Sequence, residues 1–322
     1  MICAKRRLTW KEIQVALSID ADSQTIKYDD RRLRKHIHDI CGSLVSLDGD
    51  RVSLVHSTAK TYVHVRTKQD QRANLYSYIT KVTDDIHEPS IECELAILCL
   101  NYLTFPCFDV EEVTDEQEMK TLILEGHLAF QDYAVAKWFH HINALIYRGE
   151  EFTQMQATML RDNQLERLEC ALEDFINCYH REDWTSIVVE DCKANCVPFQ
   201  SWPLYGNLVS LTSHIYTFQQ KGFEARHQIS IKNLGRALDR NRKLLEDLPS
   251  KLDNDELAEF HNFYDGEKLY KCTKITCRYF SEGFKDAKTR KKHVNIHERP
   301  FHCDVPDCLG AEGFANQGDL QK

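Results

Sequence analysis

Near the end of the chain, four residues have types and spacing that could hold a metal ion: Cys272-x4-Cys277-x15-His293-x3-His297. Two thiolates and two imidazoles are the donor set that closes a tetrahedral zinc site. The close cysteine pair fits a tight hairpin. Histidines four apart lie on one face of a helix. Phe284 precedes His293 at the distance where a ββα zinc finger keeps its core aromatic. Two features depart from that pattern. The interval from Cys277 to His293 is longer than the common ~12 residues and contains Tyr279 and Phe280, and Arg290 stands where a finger helix normally buries a leucine.

After His297 comes Glu298–Arg299–Pro300–Phe301, a short form of the linker between tandem fingers. Cys303-x4-Cys308 then opens a second finger, with Phe314 and Leu320 in core spacing. Its first histidine is expected directly after Lys322, so Cys303 and Cys308 are read as an incomplete second zinc site, for which His302 is a poor substitute. In the first finger, counting back from His293, Asp286, Thr289 and Lys292 would face nucleic-acid bases, and Lys285, Lys288 and Lys291 would meet phosphates. The bland alternative is a solvated basic helix face.

Composition bounds the remainder. A chain of 322 residues suggests about two domains at ~150 residues each. Its 50 acidic residues outnumber 41 basic ones, a net charge of −9, which argues against a wholly basic nucleic-acid coat. With 12 glycines and 7 prolines, turn-forming residues are about half as frequent as usual, which points to helices. No window approaches the ~18–20 apolar residues of a spanning helix, and the first residues lack a secretory apolar region. The expectation is an intracellular protein, cytoplasmic or nuclear, with no membrane contact. In a reducing compartment the 13 cysteines read as metal ligands where clustered and as core packing elsewhere. Cys41, Cys93, Cys99, Cys170 and Cys178, in apolar periodic stretches, fall in the second class.

The elements that must position these residues follow from periodicity. Thr9 and Glu12 form a capping box for a helix whose Trp10, Ile13, Ala16 and Leu17 share a face. Residues 20–30 read as a polar loop, and Leu33, Ile37, Ile40 and Leu44 as a second helix. The turn Asp48–Gly49–Asp50 joins two short strands as a hairpin, and Ser57 caps a third helix through Tyr62. Helix, helix, hairpin, helix is the layout of a winged helix. From about residue 85 to 260 the chain reads as stacked helices: one capped by Ser90 with Ile91, Leu95, Leu98 and Tyr102; one over 132–146; one carrying Leu165, Leu168, Leu172, Phe175 and Tyr179; and, after a breaker at 197–203, stretches from Leu208 and over Ile231, Leu234, Leu238 and Leu245. Residues 253–259 read as a linker or a short solvated helix. The expected fold is therefore mostly α. A winged-helix-like module spans 1–75, a helical domain 76–260 and a C₂H₂ zinc-finger region 265–322.

Several strings resemble the C-terminal half of fungal NACHT-type NLR-like proteins that end in C₂H₂ fingers. They are Ala4–Lys5–Arg6–Arg7–Leu8–Thr9, Cys41–Gly42–Ser43–Leu44–Val45, Leu54–Val55–His56–Ser57–Thr58–Ala59–Lys60, Leu95–Ala96–Ile97–Leu98–Cys99–Leu100–Asn101–Tyr102–Leu103, Phe130–Gln131–Asp132–Tyr133–Ala134, and Glu282–Gly283–Phe284 with His297–Glu298–Arg299–Pro300–Phe301. The resemblance covers roughly 1–145 and 265–322, and it implies a winged helix that follows an ATPase module. No G-x4-G-K-[ST] occurs in this chain, so nucleotide binding by it is not expected. Enzymatic motifs are also missing: Cys192-x3-Cys196 lacks a histidine pair, His140 and His141 point to different sides of a helix, and His180–Arg181–Glu182–Asp183 reads as a polar loop. The sequence thus favours a non-enzymatic, zinc-binding regulatory or interaction protein with an unknown protein partner. The alternative is a nucleic-acid-binding zinc-finger protein.

Overall fold

The structure, a computed structural model, describes residues 3–56, 88–109, 115–179, 186–303, 305 and 312–321. The chain is mostly helical, with 63% helix and 7% strand. Its first strand, β1 (Leu8–Thr9), leads directly into α1 (Trp10–Ser18). The expected capping box is present: the Thr9 hydroxyl accepts from the Glu12 amide at 3.0 Å, and the Glu12 carboxylate accepts from the Thr9 amide at 2.8 Å. Next come β2 (Ile19–Asp20), β3 (Thr25–Ile26), α2 (Tyr28–Arg31) and α3 (Ile37–Cys41). The hairpin is β4 (Val45–Asp48) and β5 (Arg51–Leu54), and β1 joins it to give a three-stranded antiparallel sheet ordered β1-β5-β4.

Three local expectations change here. Residues 20–30 are not a loose loop: β2 pairs with β3, and Asp20 ion-pairs with Lys27 and Arg31. Leu33 is not helical, because the Gln14 side chain accepts from its amide at 2.8 Å and donates to its carbonyl at 3.0 Å. Those bonds replace the ones a helix would supply. The face of α1 also differs. Leu17 is 48% exposed while Val15 is fully buried, because α1 is wedged between two apolar groups. Trp10 and Ile13 pack toward Ile37, Val45 and Val52, whereas Val15 joins the main core. The expected third helix from Ser57 lies outside the described residues.

The helical body comprises α4 (Glu88–Leu103), α5 (Glu116–Leu124), α6 (Gln131–Tyr147), α7 (Gly149–Thr153), α8 (Thr158–Tyr179), α9 (Glu190–Asn195), α10 (Tyr205–Gln219), α11 (Lys232–Asp247) and α12 (Asn254–Phe263). At its centre α4 packs against α6 and α8. Leu165, Leu168, Leu172, Phe175 and Tyr179 of α8 are all buried, as their spacing requires. Each such side chain contributes about 1.5–3 kcal/mol on leaving water. Tyr102 packs edge-on against Phe108 and Phe130 and donates its hydroxyl to the His127 carbonyl at 2.6 Å. Ser90 lies inside α4 rather than capping it, and its hydroxyl donates to Gln164 of α8. Cys93 and Cys99 are core residues, but Cys170 and Cys178 are exposed. Those two occupy the outer face of α8, between its buried rows.

Residues 253–259 belong to a docked helix. Asp253 and Glu256 form a capping box for α12, Phe260 is fully buried, and the Tyr264 hydroxyl donates to the Ile123 carbonyl at 2.9 Å. The winged helix rests on the same element: the Lys11 ammonium donates to the carbonyls of His261 and Tyr264. One continuous core therefore runs from Leu8 through the body to Phe280.

His127 lies in this core, 2% exposed, and its Nδ1 has no hydrogen-bond partner. Burial holds the imidazole down to about 4; Glu125, 3.5 Å away but 57% exposed, is too solvated to offset it. The unfolded chain binds this proton near pH 6.5 and the fold does not. Stability should therefore decline as pH falls from 6.5 to 4, by up to about 3 kcal/mol from this residue. Urea midpoints measured across that window should fall less steeply for His127→Gln than for the wild type.

Candidate metal centre

The four residues expected to bind metal come together. Taking one donor atom from each, Cys272, Cys277, His293 and His297 lie within 4.8 Å of one another. Cys277 Sγ is 3.2 Å from His293 Nε2, and the two Nε2 atoms are 3.1 Å apart. A tetrahedral zinc site with ordinary bond lengths separates its donors by about 3.3–3.8 Å, so the residues present fit the ion. Electrostatics agree. Burial pushes the Cys272 thiol up to about 11, with Cys277 adding to the rise. Burial and then His297 lower the His293 pKa, which favours the neutral imidazole. A divalent cation would reverse the thiol's preference and bind that neutral ring.

Local folding places each ligand. Tyr270 and Phe284 pair as an antiparallel bridge, with 3.3 and 2.8 Å hydrogen bonds, and the loop between them carries both cysteines. Gly283 closes it at φ 68; a Cβ there would sit 2.1 Å from the Lys268 carbonyl oxygen. The histidines lie one turn apart on α14 (Ala287–Glu298), and the extra residues after Cys277 form a helical turn, α13 (Tyr279–Glu282). Tyr279 and Phe284 stack on each other and flank the His293 ring at 4.9 and 5.0 Å.

Both departures from the finger pattern are docking contacts. The added turn α13 sends Phe280, 2% exposed, into the core of the body. There the guanidinium of Arg242 on α11 lies 4.1 Å from its ring centre. The same guanidinium donates to the carbonyls of Cys272 at 3.0 Å and Phe280 at 2.7 Å, and to Asp132 of α6 at 2.7 Å. Burial alone would raise the Asp132 carboxyl, but Arg242 and then Lys271 outweigh it and hold the group below its ordinary range. Arg290, at the usual leucine position, ion-pairs with Glu246 of α11 and lies over the Tyr270 ring. Arg242, Asp132 and Glu246 were invisible to spacing arguments, because they lie tens of residues from the ligands. The only sequence signals were the long interval and Arg290.

The residues considered for nucleic acid are all exposed. Asp286 and Thr289 are occupied with each other: the Asp286 carboxylate caps α14, accepting from the Thr289 amide at 2.7 Å and its hydroxyl at 2.9 Å. Lys285 pairs with Glu267, whereas Lys288, Lys291 and Lys292 extend from α14 into solvent. The stretch after Arg299 repeats the local backbone pattern of 270–298 in part. Phe301 pairs with Phe314, Gly313 closes the turn at φ 84, and Asn316 caps α15 (Gln317–Leu320). Cys303 is half-buried, while Cys308 and Lys322 lie outside the described residues. No second cluster of metal-binding type occurs among the described residues.

An acid–base chain exists elsewhere. His141 receives Tyr133 Oη at 2.8 Å on one side and Glu92 at 2.6 Å on the other, and Lys5 closes on the same carboxylate. With His141 and Tyr133 both fully buried, the chain ties the N-terminal segment to α4 and α6 and offers a substrate no access. His140, its neighbour, is exposed. His180–Asp183 lie outside the described residues.

Residues 1–74 match the family described as the winged helix domain of GPI inositol-deacylase, a NACHT-associated family. The N-terminal sheet and helices are thus a winged-helix domain. No curated protein matches the chain, and no solved structure matches it. No described helix is long and apolar enough to cross a membrane.

Replacing Arg242 by Met leaves Asp132 half-buried with only the more distant Lys271 and Arg6 to offset its charge. Breaking such a pair costs about 3–5 kcal/mol, so the urea midpoint should drop sharply. Arg290→Leu should leave metal binding intact yet loosen the finger from α11, seen as faster proteolytic cleavage after residue 263.

Proposed function

We propose that this chain is a non-enzymatic, zinc-dependent regulatory or interaction protein in which zinc folds a C₂H₂ finger onto a winged-helix and helical platform. The observation that carries this reading is the convergence of Cys272, Cys277, His293 and His297 within 4.8 Å. Zinc supplies cross-linking when bound, and structural zinc in finger peptides is worth about 10–16 kcal/mol. The chain's own residues do the rest: Tyr279 and Phe284 orient His293, while Arg242 and Arg290 hold the finger against α11. A finger fastened by its core positions acts as a structural clamp. The burial of the Tyr133–His141–Glu92 chain supports a non-catalytic reading. The resemblance to NACHT-type proteins supports a regulatory role with a protein partner.

A second reading, nucleic-acid binding through α14, is favoured by one observation: Lys288, Lys291 and Lys292 all face solvent. With Asp286 and Thr289 engaged in capping, this surface would meet phosphates more than bases. A lone finger buries only about 600–1,000 Å² on DNA.

Elemental analysis of chelator-free protein should give one zinc per chain, and none in Cys272→Ser. Adding a strong chelator to the wild type should lower its melting temperature and expose the segment after residue 263 to protease. A zinc-free wild-type chain would end the proposal. For the second reading, affinity for duplex DNA should fall steeply with salt and weaken in Lys288→Glu/Lys292→Glu; no binding at low salt leaves the clamp alone.

A further inference from the structure

We propose, resting on the zinc reading above, that the turn joining α10 to α11 is coupled to the metal: zinc docks it, loss of zinc frees it, and the surface around Phe223 changes with metal occupancy. Residues Glu224–His227 form this turn, a short 3₁₀ helix with no buried residue. Its ties to the rest of the chain are polar, and they converge on one place. The Ile275 amide donates to the His227 carbonyl at 2.9 Å, the Thr276 hydroxyl lies 2.5 Å from His227 Nδ1, and Lys274 pairs with Glu224 at 3.0 Å. Lys274, Ile275 and Thr276 are consecutive, and they lie in the interval between the ligands Cys272 and Cys277. Among the described residues, every hydrogen bond or ion pair of 224–227 that leaves the segment 222–228 ends on these three.

An interval between two ligands of one ion has its path set by that ion, because both of its ends are fixed to a common centre. Within it, the Lys274 amide donates to the Cys272 sulfur at 3.5 Å and the Cys277 amide to the Lys274 carbonyl at 2.9 Å. Without an ion the four donors are no longer cross-linked, and the loop regains conformational freedom. Its three bonds to the turn loosen with it, and the turn has no buried side chain to keep it in place. Phe223, 71% exposed, packs edge-on against the His227 ring at 4.7 Å between centres, so it moves with the turn. Coupling of this kind is reciprocal: if zinc favours the docked turn, the docked turn favours zinc by the same factor.

The test compares the zinc-loaded and the chelator-stripped full chain by amide hydrogen exchange. Peptides covering 222–228 and 273–277 should exchange about tenfold faster or more in the stripped chain, while α8 keeps its protection. Reciprocity supplies a second arm, a zinc titration against a chromogenic chelator. His227→Ala, which leaves every ligand in place, should still bind one zinc per chain but about threefold more weakly or worse, and Glu224→Gln/His227→Ala more weakly again. Neither side chain is buried, so the stripped variants should melt with the stripped wild type. Unchanged exchange of 222–228 on stripping overturns the coupling, as does wild-type zinc affinity in both variants. Should stripping release α8 as well, the affinity arm decides. A wild-type chain without zinc would instead end the zinc reading, and the coupling with it.

Discussion

A single guanidinium holds the parts of this chain in register. Arg242 sits on a helix of the body, pairs with Asp132 on another, and donates to two carbonyls of the candidate metal-site segment while stacking on Phe280. Arginine suits this position because its planar fork keeps several donors in fixed directions and its face accepts an aromatic ring. A lysine would present a point charge and satisfy fewer of these partners. Because the cation is 6% exposed, it must be paired to be tolerated there. The Asp132 carboxylate and the finger backbone meet that requirement together.

This arrangement ties the Cys/His segment to the body at the positions where it departs from the finger pattern. Finger helices that read nucleic acid need only a small private core and a free outer face. In this chain Arg290, where that pattern has an aliphatic residue, reaches Glu246, and the helical turn α13 places Phe280 in the larger core. The Cys303 stretch, read as a second finger from its spacing, keeps Leu320 at the position matching Arg290. Two neighbouring copies of one motif thus differ at the residue that docks the first onto the body.

The winged helix is bound to the same centre by independent contacts. Lys11 reaches the carbonyls at the end of α12, Tyr28 packs on Phe263 at 4.8 Å between ring centres, and Arg51 of the hairpin approaches Glu282 of the finger.

Sequence by itself determined what depends on nearest neighbours along the chain. The capping box at Thr9, the hairpin around Gly49, the buried stripe of α8 and the four-ligand motif all rest on spacings of a few residues, where helix and turn geometry leave few alternatives. The winged-helix layout was legible for the same reason. Tertiary structure decided the matters that need a distant partner. Leu33 stayed out of a helix because Gln14 takes its backbone bonds, and Leu17 faced solvent because α1 serves two cores. Cys170 and Cys178 turned outward although their helix is amphipathic. Likewise Arg290 looked like a defect in a finger core until Glu246, 44 positions earlier, supplied its charge partner. Periodicity records which residues share a face, but not what that face will meet. The meaning of an unusual residue was therefore set by the surface it packs against.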